Sequence, residues 1–234
     1  MFETKYSNFL TVLLIIVIIA IVGCLIFGGY KIYQQFNSTQ DANKYVNSFV
    51  QNQANNINNT NITNNTDDNQ NATGDDNNIA NQLQNTPQAN GGATGGNTQT
   101  YQGFSVIGTI EIPKIKLSYP ILEEASKSAI EKSVAMLYGV GPNKVGNTLI
   151  IGHNYRNGQF FSNNKNLSIG DKVYITDLSG QKLTYTIYDK FETTTEDTEF
   201  LTRNTNGARE ISLQTCTDNG SLRLIILAKC DLDS

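Results

Sequence analysis

No run or stripe of lysine and arginine occurs anywhere in the 234 residues, and the formal net charge is −4. The electrostatic footprint of a nucleic-acid binder is therefore missing, and no nucleic-acid partner is expected. Cysteine is too scarce for a disulfide framework. Of the three cysteines, Cys24 lies inside an apolar run, which leaves only Cys216 and Cys230 to the polar remainder of the chain. If these two sit at opposite ends of one strand pair, a rise of about 3.3 Å per residue puts them roughly 20 Å apart. A disulfide needs Cα atoms within about 7 Å. Cys216 is thus expected to be a free thiol, which invites a chemical explanation. A third scarcity is local. Residues 51–100 hold 16 asparagines but no lysine, arginine or aromatic residue. Such a stretch buries too little apolar surface to offset its ordering entropy, so a disordered spacer is expected there.

The long hydrophobic run lies at the start. Phe9 to Phe27 carries no charge, and about 20 apolar residues cross a bilayer. The expected organisation is a short cytoplasmic tail (1–8), a transmembrane anchor (9–30), a juxtamembrane segment and Asn-rich linker (31–100) and a folded domain (101–234). The following Gly28-Gly29-Tyr30-Lys31 offers no small-residue cleavage pattern. Ile21-Val22-Gly23-Cys24 is similar to a lipobox, but the apolar run continues through Leu25-Ile26-Phe27, where a lipoprotein would turn polar. Either way the rest of the chain is expected to be tethered outside the cytoplasm. Asn-x-Thr triplets at Asn58, Asn61, Asn64 and Asn71 are read as chance products of a low-complexity run rather than glycosylation sites.

From Tyr101 the texture changes to short β-rich runs divided by turn signals. Lys172–Thr176 and Lys182–Ile187 flank a glycine-containing loop and predict a hairpin. Glu210–Thr215 and Leu222–Lys229 predict a second strand pair around Thr217-Asp218-Asn219-Gly220. Lys31–Val50, with scattered aromatics, is open to a short juxtamembrane helix, and Ser126–Met136 is the one helix expected in the folded domain, with Ser126 as its candidate cap. Many short strands and one helix predict an all-β fold, a compact barrel or sandwich.

Three residues can do chemistry. His153, the sole histidine, follows Gly152 directly after the apolar strand Thr148–Ile151. Strand ends entering loops are where a rigid scaffold displays functional groups. Cys216 ends a strand in which Ile211 and Leu213 share one face, placing the thiol on the other with Ser212 and Gln214. Arg223 interrupts an otherwise apolar strand, where a guanidinium needs a partner or a purpose. A salt bridge to Asp218 or another carboxylate is the plain alternative. Together the trio suits thiol acyl transfer: a nucleophile, a proton carrier and an oxyanion donor. Asp177, Asp189 and Asp218 are equal candidates to orient the imidazole.

The ordered trio resembles the sortases of Gram-positive bacteria. Ser212-Leu213-Gln214-Thr215-Cys216 is similar to that family's Thr-Leu-x-Thr-Cys, with serine in place of the first threonine. Leu222-Arg223-Leu224 and Ile150-Ile151-Gly152-His153-Asn154 are similar to its arginine strand and its histidine motif. The resemblance covers about Gly103 to Lys229. It implies an eight-stranded β-barrel and a transpeptidase with catalytic His153, Cys216 and Arg223. The implied donor is a protein bearing a C-terminal sorting signal similar to Leu-Pro-x-Thr-Gly. The implied acceptor is an amine of a cell-wall precursor or a pilin. The chain has no second hydrophobic span and only a short stretch between Asp189 and Arg209, so a housekeeping or sporulation-linked type is expected. The rival is a secreted cysteine peptidase with water as acceptor, although wall peptidases usually place cysteine before histidine. A non-enzymatic tethered β-domain is the other alternative. No cofactor is expected. Glu123-Glu124 and the acidic run Glu192–Glu199, which resemble calcium-holding segments of some sortases, are read as solvated acidic loops.

Overall fold

The computed structural model describes residues 3–63 and 99–233. Most of the expected linker, with the triplets at Asn64 and Asn71, lies outside the described residues. The remainder forms one long helix, α1 (Glu3–Thr63), and a closed sheet.

A two-residue strand β1 (Thr100–Tyr101) turns back onto β2 (Phe104–Ile112). The chain continues through β3 (Leu117–Leu122), β4 (Val134–Gly139), β5 (Gly146–Ile151), β6 (Lys172–Asp177), β7 (Lys182–Thr193), β8 (Arg209–Cys216) and β9 (Arg223–Cys230). Their order is β1-β2-β3-β4-β5-β8-β9-β7-β6, and β2 also pairs with β6. That last pairing closes β2–β9 into an eight-stranded barrel with no free edge to manage. Pairs β3–β4 and β5–β8 are parallel and the others antiparallel.

The sequence alternates to match. On β8, Ile211 and Leu213 join the interior cluster with Ile150 of β5 and Ile226 and Ala228 of β9. On the outer face, Leu149, Ile225 and Leu227 form a second small cluster with Phe200 from the β7–β8 loop. Both faces of the β5–β8–β9 region are therefore covered, which explains its nearly continuous apolar runs. The hairpin β6–β7 forms as expected, with Thr176 opposite Lys182.

Two local expectations differ. The helix Ser126–Met136 shrinks to one turn, α2 (Lys127–Ile130), although Ser126 does cap it by accepting the Ala129 N–H at 3.2 Å. Buried Ser133 then donates to the Pro120 carbonyl at 2.6 Å, and buried Val134 enters parallel register with Ile121. Tertiary pairing and a β-branched residue override the local helical pattern. The second difference lies in α1, which runs without a break to Thr63, into the region expected to be spacer. Ala42, Val46, Phe49 and Gln53, spaced four, three and four residues apart, are all buried. That spacing makes one helix face. Ala42 and Phe49 join the main core, and the Tyr45 ring meets the Tyr101 ring edge-on at 5.1 Å.

Candidate active site

Strand register brings the three chemical residues to one end of the barrel. Parallel pairing of β5 and β8 sets Ile151 beside Gln214. One residue further on, the Gly152 N–H donates to the Gln214 carbonyl at 3.2 Å, and Thr215 Oγ1 donates to the Gly152 carbonyl at 2.7 Å. His153 therefore leaves the sheet beside Cys216. On the other side, antiparallel pairing places Arg223 directly opposite Cys216. Alternation puts Cys216 and Arg223 on the outer face, with Gln214 and Ile225.

The loops reinforce this placement. Asn154 Nδ2 donates to the Cys216 carbonyl at 2.9 Å and to Asp218 Oδ1 at 3.0 Å, tying the histidine loop to the cysteine turn. The turn closes by Thr217 N–H to the Leu222 carbonyl at 3.0 Å, with Gly220 at φ +76°. The His153 ring stacks on Tyr155 at 4.8 Å, and its carbonyl accepts the Phe161 N–H at 3.1 Å. Gly152 is required for space rather than for turning: a Cβ there would lie 2.9 Å from Val134 Cγ1 and 3.0 Å from Phe161 Cδ2.

Electrostatics distinguish the members. Partial burial lowers the pKa of His153, and the Glu131 carboxylate opposes that shift. Neutral imidazole, able to accept a proton, is thus favoured at neutral pH. Arg223 makes no ion pair among the described residues, and its one side-chain hydrogen bond there runs from Nη1 to the Leu222 carbonyl at 3.3 Å. The alternative partner, Asp218, is held by Lys165 Nζ at 2.6 Å instead. The Lys165 and Asn154 donors keep the Asp218 carboxyl below the usual carboxylate range. Most guanidinium donors of Arg223 have no protein acceptor among the described residues.

Cys216 also walls an open cleft of about 290 Å³, reached from the side of Asn154, Lys165 and Asp218. Cys216 is half-buried and free. Cys230 is buried at the far end of the β8–β9 hairpin. None of the three aspartates weighed as orienters is aimed at the imidazole. Asp177 binds Asn143 and Ser179, Asp189 accepts the Lys190 N–H, and Asp218 reaches Asn154 and Lys165. The carboxylate that acts on His153 is Glu131, just past α2, and nothing in its sequence context signals that. Among the described residues no group of three or more His, Cys, Asp or Glu side chains gathers where it could hold a metal.

The sortase-domain family model matches residues 110–231. The chain belongs to the sortase family. A Clostridium perfringens sortase D5 transpeptidase is 31% identical, over 53% of this chain and 78% of that one, with a TM-score of 0.49. Sortase A of Corynebacterium diphtheriae is 28% identical, over 54% and 61% of the two chains, with a TM-score of 0.50. Sortase C1 of Streptococcus agalactiae is similar in fold, at 24% identity over 53% and 69%, with a TM-score of 0.50. No curated protein matches the chain. As a member of that family it is a cysteine transpeptidase, and its barrel is preceded by an apolar helix long enough to cross a membrane.

Proposed function

We propose that Cys216, His153 and Arg223 carry the transpeptidation, acting on a protein with a C-terminal sorting signal similar to Leu-Pro-x-Thr-Gly. The observation that carries this reading is the register: Arg223 stands opposite Cys216 across β8–β9, and the parallel β5–β8 pair delivers His153 to the same end. Cys216 Sγ attacks the scissile carbonyl carbon while its proton passes to His153. The carbonyl oxygen becomes an oxyanion, for which Arg223 supplies donors. As the C–N bond breaks, His153 gives the proton to the leaving amine, and a thioester to Cys216 remains. An acceptor amine, from a cell-wall precursor or a pilin, attacks the thioester. His153 takes the amine's proton and returns it to the departing thiolate, which restores the free enzyme.

The apolar part of α1, Phe9 to Phe27, anchors the enzyme in the membrane and leaves the barrel on the outer side, where sorting signals and wall amines meet. The test is product analysis. The full chain in detergent is given sorting-signal peptides with and without triglycine. Ligated product is expected from the wild type, none from Cys216→Ala or His153→Ala, and about 10²–10³ less from Arg223→Ala. Cleavage that never yields ligated product with any amine would instead favour a hydrolase. Ligation that survives Cys216→Ala would refute the assignment.

A further inference from the structure

The fifteen residues between β7 and β8, 194–208, fold over the outer face that also carries Cys216 and Arg223. Phe200 buries against Leu149, Ile225 and Leu227, and Ile151 and Leu201 pack at the edge of that cluster. This loop therefore caps the apolar outer face of β5, β8 and β9, which reaches Ile225, two positions along β9 from Arg223.

A polar network fixes the loop to the barrel. Asn147 Nδ2 donates to the Phe200 carbonyl at 3.4 Å and to the Leu201 carbonyl at 3.1 Å. Arg203 Nη1 donates to the Phe200 carbonyl at 2.6 Å and to Ser212 Oγ at 2.9 Å. Its Nε faces Glu210 Oε2 at 2.8 Å and Tyr188 Oη at 3.1 Å, and its Nη2 lies 2.7 Å from the same carboxylate oxygen. Tyr188 Oη donates to Glu210 Oε2 at 2.8 Å, and Ser212 Oγ donates to Asn147 Oδ1 at 3.0 Å. Burial and the Glu210 carboxylate push the Tyr188 phenol up to about 12, so it remains a donor. Asn147, Ser212 and Glu210 are buried, and the Arg203 side chain is 17% exposed. The hydroxyl protons of Tyr188 and Ser212, both amide protons of Asn147, and Arg203 Nε and Nη1 are each directed at an acceptor. Buried Nη2 makes the ion-pair contact with Glu210 and no hydrogen bond among the described residues. A buried network with this many members paired rigidifies what it joins. The serine at position 212 is part of it, serving as acceptor to Arg203 and donor to Asn147 at once.

We propose that Arg203 is a positioning residue for the donor peptide: its fork latches the β7–β8 loop to β5, β7 and β8 and so sets the apolar wall against which the peptide binds. The inference rests on the transpeptidase reading above and adds a residue to it. Arg203 lies on the loop and approaches the barrel through Glu210 and Ser212, several positions before Cys216 on β8. Its effect falls on donor binding and leaves the thiol chemistry and the acceptor amine untouched.

The test compares the full wild-type chain in detergent with Arg203→Met/Glu210→Gln, which removes both charges so that neither is stranded. Donor-peptide KM is expected to rise about 10- to 100-fold, the size of lost charge-assisted hydrogen bonds, with kcat and the KM for triglycine within about 3-fold of wild type. Hydrogen exchange of the Leu201 amide is expected to accelerate, while alkylation of Cys216 by iodoacetamide keeps its rate. An unchanged donor KM, or a fall confined to kcat, would overturn the proposal. So would slower alkylation, which would mean that the thiol itself had moved. A wild-type chain that turns over no sorting peptide would fail earlier, at the functional reading, and would remove the inference with it.

Discussion

Phe49→Ala tests whether the helix is part of the folded domain. Phe49 is 1% exposed and belongs to the main core, with Ala42 on the same helix face. Burying a side chain such as Val46 or Phe49 is worth about 1.5–3 kcal/mol each, and truncating an embedded phenylalanine costs about 3–5 kcal/mol. Because α1 covers the barrel as a single layer, it can undock rather than drag the barrel apart, which limits the loss to the docking term. We therefore expect about 2–3 kcal/mol. For a domain of this size that lowers Tm by roughly 6–12 °C. Differential scanning calorimetry on the full chain in detergent reads the shift, and hydrogen exchange over residues 42–53 reports whether the helix has come away. A Tm change under about 2 °C, with protection of those amides retained, would refute the claim that this face is part of the core.

Three further outcomes follow from individual groups. Tyr45 has a buried hydroxyl without a hydrogen-bond partner among the described residues, and burial raises its pKa to about 12. Tyr45→Phe should be neutral or stabilise by up to about 1 kcal/mol in the same calorimetry. His153 is the only histidine, so its NMR titration is unambiguous. Its midpoint is expected below the ordinary value of 6.5, and lower still in Glu131→Gln, because that carboxylate holds it up. The matching stability contribution is fully present above about pH 6.5 and is lost as pH falls through the folded midpoint. Gly152→Ala should cost about 1–3 kcal/mol from the clash with Val134 and Phe161, with a drop in ligation rate as His153 is displaced.

The barrel strands were legible because their alternation is regular. Ile211/Leu213 against Ser212/Gln214 forecasts which face β8 turns inward, and the β6–β7 and β8–β9 hairpins carry strong turn signals. The trio was legible for a related reason: a lone histidine, a strand-end cysteine and an arginine in an apolar strand each break a local pattern. What the sequence hid is non-local. The buried face of α1 is made of Ala42, Val46 and Phe49 among polar neighbours, and only the barrel wall beneath them reveals that it is a face. The Ser126 helix was overextended because the parallel partner of Val134, Ile121, lies beyond any local window. The Arg203–Glu210–Ser212–Asn147 network joins three separate elements, and no spacing rule links them.

The most direct test of the central claim is covalent. The full chain is mixed with a sorting-signal peptide, quenched in acid before acceptor is added, and mapped by peptide mass spectrometry. The account predicts an acyl adduct on Cys216 and none on Cys24 or Cys230, discharged by triglycine into ligated peptide. Product formation with no adduct on Cys216, or an adduct on another residue that amine resolves, would contradict it.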